Sequence, residues 1–353
     1  MKYGLIGEKL GHSFSKTIHE QLADYTYDLI PLSREELDVF LKEKNFAALN
    51  VTIPYKETVI PYLDETDPHA KAIGAVNTIV NRNGRLCGYN TDFYGFRYLL
   101  EQNNISVRGK KTLVLGRGGA AKAVKAVLRE MGAAEILTVY YKPATDTISY
   151  ETCYEMHSDA QIIVNATPVG MFPHTEESPI LLERFPCLEG VADVVYNPLR
   201  TQLILDAESR EIPCAGGLEM LIAQAKNAVE IFLDKSLPAD SIEAIHKSLL
   251  RERCNIVLIG MSGSGKTTMG RMAAERTGKV FIDIDEKIVE RIGMPIPKYF
   301  AAYGETAFRK IETEILREYA AQNGLLIAAG RRIAENPESI RLLKQNGRLI
   351  WLK

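Results

Sequence analysis

The stretch from Gly260 to Thr268, Gly-Met-Ser-Gly-Ser-Gly-Lys-Thr-Thr, constrains this chain more than any other. An apolar run, Asn255 to Ile259, precedes it, and a helical pattern through Met272 and Ala273 follows. Strand, glycines and helix in that order make a phosphate-binding loop, because glycines let successive N–H groups turn toward an anion and the helix start adds positive potential. Gly263, Ser264, Gly265, Lys266, Thr267 and Thr268 are the predicted phosphate ligands. Lys266 is placed for the β- and γ-phosphates and Thr267 for Mg²⁺, so ATP and Mg²⁺ are the expected ligands. The alternative, a glycine turn that binds nothing, does not explain the flanking strand and helix.

The loop begins late in a chain of 353 residues, a length that predicts two or three domains. Net charge is −2, which gives no electrostatic case for nucleic acid or a membrane surface. The start, Met1 to Gly7, reads as a strand and not as a signal peptide, and no apolar run is long enough to span a bilayer. Cys87, Cys153, Cys187, Cys214 and Cys254 are scattered, without a Cys-x-x-Cys pair. That pattern fits neither a disulfide framework nor a zinc site, and the expected location is a reducing cytoplasm.

Along the first hundred residues short strands alternate with helices. Tyr3–Gly7 and Leu49–Thr52 read as strands and Lys16–Ala23 as a helix. Ala75–Val80 and Arg85–Tyr89 read as a hairpin about Asn83-Gly84. From Val107 the alternation becomes regular: strands at Lys111–Gly116, Ile136–Tyr141, Ile162–Ala166 and Val191–Tyr196, with a helix through Met131 after the first. This predicts a parallel sheet with crossover helices, a Rossmann-type lobe whose glycine loop is Gly116, Arg117, Gly118, Gly119, Ala120 and Ala121. Leu221, Ala225, Ala228 and Phe232 form one stripe of a helix over 217–234, and the main boundary falls near Arg251.

Polar clusters stand ahead of that glycine loop. Ser13 and Ser15 flank a helix start, where hydroxyls suit a carboxylate ligand or simply cap the helix. Asn50 to Lys56 leaves a strand and places a lysine just past Pro54; Gly74 to Thr78 and Asn90-Thr91-Asp92 follow. A lysine beside a carboxylate suits ketone reduction, which creates an alkoxide that needs a proton and a nearby positive charge.

In this order, and together with Asn165 to Met171, Asp193 to Pro198 and Gly217 to Gln224, these clusters resemble the shikimate dehydrogenase family from Tyr3 to about Phe232. The resemblance implies reversible reduction of 3-dehydroshikimate to shikimate by NADPH, in aromatic amino acid biosynthesis. It implies a two-lobed α/β dehydrogenase: a substrate lobe at 1–104 completed by helix 217–248, and a Rossmann-type NADP-binding lobe at 105–216. By the same resemblance Lys56 is catalytic and paired with Asp92, Ser13 and Ser15 hold the substrate carboxylate, and Thr52, Asn77, Asp92 and Gln224 hold ring hydroxyls. Tyr196 borders the cleft, and Thr167, Gly170, Met171, Val194 and Gly217 lie toward the cofactor. Two departures stand out. Arg117 sits where the family has a small residue. The strand ending at Tyr140-Tyr141-Lys142 lacks the family's 2′-phosphate pair, leaving Lys142 as the candidate point charge.

Residues 252–353 resemble shikimate kinase, a P-loop parallel α/β domain that phosphorylates shikimate from ATP. A strand over Phe281–Asp285 ends in Asp-x-Asp, and another runs from Leu325 to Gly330. The resemblance implies that Asp283 assists Mg²⁺ with Thr267, Asp285 holds the attacking hydroxyl, and Arg309 pairs the substrate carboxylate. The read-out alternative for the aspartates is a solvated strand end. Gly330-Arg331-Arg332 replaces the family's three glycines, and the chain stops at Lys353 after strand Arg348–Leu352, ahead of the family's lid. The expectation is an incomplete domain with little kinase turnover, or a bifunctional enzyme should the chain be part of a longer one. Rivals for the first part are a quinate dehydrogenase with relaxed NAD use and a non-catalytic sensor of a shikimate-like ligand.

Overall fold

The protein is described by a computed structural model, which covers residues 2–11, 13–142, 144–261 and 263–353. His12 and Ser262, which belong to the two motifs above, lie outside the described residues. By their contacts the residues fall into two units. The first comprises 1–168, 179–196 and 207–246; the second comprises 169–178, 197–206 and 247–353. Two stretches of the expected 105–216 lobe therefore group with the C-terminal residues.

The first unit begins β1 (Tyr3–Gly7), α1 (Ser15–Leu22), β2 (Tyr27–Pro31), α2 (Arg34–Glu43), β3 (Ala48–Val51), β4 (Glu65–Thr66), α3 (Pro68–Ile73), β5 (Thr78–Arg82) and β6 (Arg85–Tyr89). These strands form one sheet in the order β2-β1-β3-β5-β6-β4. β1 pairs in parallel with β2 and β3, whereas β5 runs antiparallel to β3 and β6. Asn83 and Gly84 turn the β5–β6 hairpin with φ of 55° and 88°, the positive values that this dipeptide tolerates. Ile6, Leu49, Val51, Ile79 and Leu86 are buried on this sheet against Leu37 and Leu41 of α2.

α4 (Asp92–Gln102) leads to a wholly parallel sheet made of β7 (Lys111–Leu115), β8 (Glu135–Val139), β9 (Ile162–Asn165), β10 (Gly190–Asp193) and β11 (Cys214–Ala215), in the order β11-β10-β9-β7-β8. α5 (Gly119–Glu130) follows β7 and α6 (Tyr150–Met156) follows β8. Val114, Val124, Val127, Leu128 and Val164 share its core. The predicted Rossmann arrangement is present. α7 (Gln202–Ser209) precedes β11, and α8 (Leu218–Leu233) then packs on α4 and α1. α4 and α8 approach so closely that a Cβ on Gly95 would lie 2.6 Å from the Met220 carbonyl oxygen.

α9 (Ser241–Arg253) leads into β12 (Asn255–Gly260), α10 (Lys266–Thr277), β13 (Val280–Asp283), α11 (Ile284–Ile292), α12 (Ile296–Ala320), β14 (Leu325–Ala329), α13 (Arg331–Glu335), α14 (Pro337–Asn346) and β15 (Gly347–Leu352). All four strands are parallel, in the order β13-β14-β12-β15. Within this unit Gln345 and Asn346 of α14 hold the two shorter stretches: Gln345 donates to Thr175 O at 2.5 Å, and Asn346 Oδ1 accepts from Leu199 N at 3.0 Å.

Three expected strands end two or more residues early, each for a local reason. The strand over 281–285 stops at Asp283, whose carboxylate accepts the Asp285 N–H at 3.1 Å and so caps α11. Asp285 therefore stands in the first turn of a helix. The strand over 136–141 stops at Val139, after which Tyr140 N bonds Ile148 O. The strand over 191–196 stops at Asp193, whose side chain takes the Val195 N–H at 2.9 Å.

Candidate functional site

Lys56 follows a tight turn in which Tyr55 N bonds Thr52 O, and Lys56 O accepts from Val76 N. Its ammonium donates to Asp92 Oδ2 at 2.5 Å. Asp92 is the first residue of α4, where the helix field favours a carboxylate. Both side chains are mostly shielded, 16% and 9% exposed. The pair is thus partly dehydrated yet reachable, which strengthens its electrostatics and leaves a face for a ligand.

Asn77 fixes that carboxylate. Its Nδ2 lies 2.9 Å from Asp92 Oδ1, 3.0 Å from Thr91 Oγ1 and 3.3 Å from Gln224 Oε1, while its Oδ1 accepts the Thr91 N–H at 2.7 Å. Gln224 reaches the network from α8 and is itself held through Nε2 to Leu221 O. Beneath lies a further buried layer: Tyr27 OH donates to Asn50 Oδ1 at 2.7 Å, and Asn50 Nδ2 donates to Thr78 Oγ1 at 3.1 Å. Of the predicted set, Lys56, Asp92, Asn77 and Gln224 converge. Thr91, Thr78 and Asn50 were not singled out as site residues, although each lies within a motif whose neighbours were.

Ser13 and Ser15 stand together at the start of α1, on either side of Phe14. Ser13 Oγ accepts the Ser15 N–H at 3.2 Å, so one hydroxyl does serve the helix start and keeps its own proton to donate. The Tyr196 ring packs on Phe14 at 5.2 Å between centroids. Thr52 lies against Gly7, where a Cβ would lie 2.6 Å from Thr52 Cγ2.

The glycine loop borders the lysine. Gly116 has φ of 101°, and a Cβ there would lie 3.0 Å from Ala166 O and Thr167 Cγ2. Gly118 precedes α5 without any side-chain cap, and a Cβ on it would meet nothing within 4 Å. Open space above an uncapped helix start, with Ala120 and Ala121 opening the helix, fits a pyrophosphate. A Cβ on Gly119 would lie 3.2 Å from Lys56 Cδ. At the neighbouring strand ends Asn165 binds both Thr167, Oγ1 to Oδ1 at 2.7 Å, and Asp193, Nδ2 to Oδ1 at 2.9 Å. Asn165 and Asp193 are fully buried framework residues that spacing alone did not mark. Val194 N bonds Asn165 O, and its carbonyl bars any Cβ on Gly217. Gly170 and Met171 belong by their contacts to the second unit, where Gly170 has φ of 85° and packs near Thr201. Lys142 holds its ammonium 5.2 Å from the Tyr141 ring centre.

In the second unit a cavity of about 840 Å³ opens at the loop after β12, lined among others by Gly263, Gly265, Lys266, Thr267 and Thr268. Gly263 and Gly265 have φ of 80° and 82°, and no side chain caps α10. The buried Ser264 hydroxyl has no hydrogen-bond partner among the described residues. Lys266 donates to Gly260 O and Met261 O, and Thr267 donates to Asp283 Oδ2 at 2.9 Å. These features fit a phosphate chain and a Mg²⁺ ion at Thr267 and Asp283. Asp285 lines the same cavity. Burial, then the nearby Asp283 and Glu312 carboxylates, push its carboxyl above the ordinary range. Arg309 also lines the cavity, with Nη1 at 2.5 Å from Glu312 and Nη2 at 3.2 Å from Glu305. Arg332 lies 3.5 Å from Glu305 on the same wall.

Known proteins resemble both parts. A family model described as the shikimate dehydrogenase substrate binding domain matches residues 5–79, and one described as shikimate kinase matches 262–353. An NADP⁺ shikimate dehydrogenase of Clostridium beijerinckii is 38% identical over 252 residues, which cover 67% of this chain and 93% of that protein. The crystal structure of shikimate dehydrogenase 1 from Peptoclostridium difficile is 34% identical, with a TM-score of 0.66, and covers 70% of this chain and 98% of its own. A Thermus thermophilus shikimate 5-dehydrogenase, solved with NADP(H) and shikimate, is 30% identical with a TM-score of 0.63; the match covers 70% of this chain and 99% of that one.

Proposed function

Because the chain belongs to the shikimate dehydrogenase family, we propose that it interconverts 3-dehydroshikimate and shikimate at the Lys56–Asp92 pair. It is an NADP-dependent oxidoreductase, and NADPH supplies the hydride when bound. The observation that carries the reading is the 2.5 Å contact between Lys56 and Asp92, braced by Asn77 and Gln224.

In the direction of reduction, the Lys56 ammonium gives its proton to the ketone oxygen as negative charge develops there. Asp92 holds the ammonium in place and accepts from a ring hydroxyl, and Asn77 and Gln224 orient further hydroxyls. Ser13 and Ser15 donate to the substrate carboxylate, with Thr52 and Tyr196 on the cleft wall. Gly116, Gly118, Gly119, Ala120 and Ala121 hold the pyrophosphate. Thr167, Val194 and Gly217 lie toward the nicotinamide. The domains follow: a substrate lobe at 1–104 completed by 217–248, and a cofactor lobe at 105–216.

The second unit is a shikimate-kinase-like domain at 252–353. Our reading is that it holds Mg²⁺·ATP at Gly263–Thr268 with Thr267 and Asp283, and offers Asp285 and Arg309 to an acceptor. Arg332 lines that cavity where the family has a glycine, and the reading is that turnover there is low. The enzyme acts in aromatic amino acid biosynthesis in the cytoplasm. The test is one assay: 3-dehydroshikimate with NADPH, followed by ATP and Mg²⁺. Loss of NADPH absorbance with formation of shikimate is expected, with little shikimate 3-phosphate. No NADPH oxidation would refute the dehydrogenase reading, and abundant phosphorylated product would refute the reading of the second unit.

A further inference from the structure

Arg117 is the side chain that the resemblance left without a task. It follows Gly116 at the end of β7, so it could have covered the glycine loop. It turns instead toward the end of β8. Its guanidinium carbon lies 5.8 Å from the centre of the Tyr140 ring, and Nη2 lies 3.6 Å from Asp146 Oδ1. Tyr140 comes directly after the last residue of β8, and this strand end is where a Rossmann lobe reads the 2′ position of the adenosine ribose. Tyr140 and Tyr141 have ring centres 4.6 Å apart, and Lys142 lies over Tyr141. Two cations thus flank a two-ring platform, both at an edge open to solvent.

We propose that Arg117 selects a 2′-phosphorylated adenosine, with Lys142 as its weaker partner and Asp146 as the counter-ion that Arg117 releases. The inference rests on the dehydrogenase reading and deepens it. A guanidinium offers two parallel N–H groups to a phosphate, whereas an ammonium offers a point charge. The Arg117–Asp146 contact is long and both side chains are about half exposed, so exchanging it for a phosphate dianion loses little. Lys125 lies nearby on α5 and adds positive potential, but burial lowers the affinity of its own ammonium for protons, and it donates to Thr138. Arg117, held by the long Asp146 contact over the Tyr140 ring, is therefore the forked cation of the group.

The test compares adenosine 2′,5′-bisphosphate with adenosine 5′-monophosphate by calorimetry on the full chain, because only the 2′-phosphate differs. The unaltered protein should prefer the bisphosphate by roughly tenfold or more, the span of charge-assisted hydrogen bonds. Arg117→Ala should erase that preference while leaving the monophosphate affinity unchanged. Arg117→Lys should retain part of it, Lys142→Ala should lose less than Arg117→Ala, and Asp146→Asn should tighten the bisphosphate alone. An Arg117→Ala protein that keeps the preference, or loses both ligands equally, overturns the proposal. So does an Asp146→Asn protein that weakens the monophosphate, because Asp146 would then be the reader of a ribose hydroxyl. Failure of the dehydrogenase reading shows separately, as no oxidation of shikimate by the unaltered chain with either nicotinamide cofactor.

Discussion

Lys56 and Asp92 are 36 residues apart in sequence, yet their charged atoms lie 2.5 Å apart. One leaves a turn after β3 and the other opens α4, so the pair joins a strand end to a helix start.

Replacing Lys56 with Ala should lower kcat by about 10² to 10⁴, the usual weight of a positioned acid. Affinity for shikimate, read by calorimetry, should change far less. Asp92→Asn should lower kcat and also raise KM, since that carboxylate holds the ammonium and is proposed to accept from a substrate hydroxyl. If Lys56→Ala kept near-normal turnover, the proton would have to come from elsewhere.

Asn77→Ala should be costly to both stability and catalysis. The substitution strands the buried Thr91 N–H and frees Asp92, and an unsatisfied buried group costs about 1–3 kcal/mol. Urea titration should show that loss, and shikimate KM should rise in the same variant.

His19 gives the first unit an acid sensitivity. It is fully buried, stacked on Tyr27 at 3.9 Å and bonded through Nδ1 to Tyr25 OH, and its Nε2 has no partner among the described residues. Burial lowers its pKa to about 3 from 6.5. The unfolded chain therefore binds the proton first as pH falls, and stability is lost from about pH 6.5 downward to about pH 3, at up to about 1.4 kcal/mol per pH unit. His19→Gln should flatten that slope in urea melts taken between pH 6.5 and pH 4. An unchanged slope would assign the acid sensitivity to other groups.

Lys266→Ala should abolish the rise in melting temperature that Mg²⁺·ATP gives the second unit. Stabilisation by a ligand follows its concentration over Kd, so a titration separates lost binding from a lower starting stability. An equal thermal shift in the variant would mean that nucleotide, if bound, is bound elsewhere.

Much of this could be read from local chemistry. The Asn83-Gly84 hairpin, the glycines before α5 and the stripe that became α8 each carry their signal within a few residues. Strand ends were less legible, because a single side chain decided them: Asp283 and Asp193 each bend the chain by accepting a nearby N–H. The Tyr27–Asn50–Thr78 layer was invisible, since its members meet only once β2, β3 and β5 are assembled. Arg117 illustrates the same limit, for its position was evident and its direction was not.

Gly119 leaves a gap of one missing carbon beside the stem of Lys56. The residue that opens α5 is thus also a spacer for the Lys56 side chain. A methyl group there would act as a shim, lying 3.2 Å from Lys56 Cδ and forcing that stem to give way. The clearance between the glycine loop and the Lys56 stem is set by a side chain that is a single hydrogen.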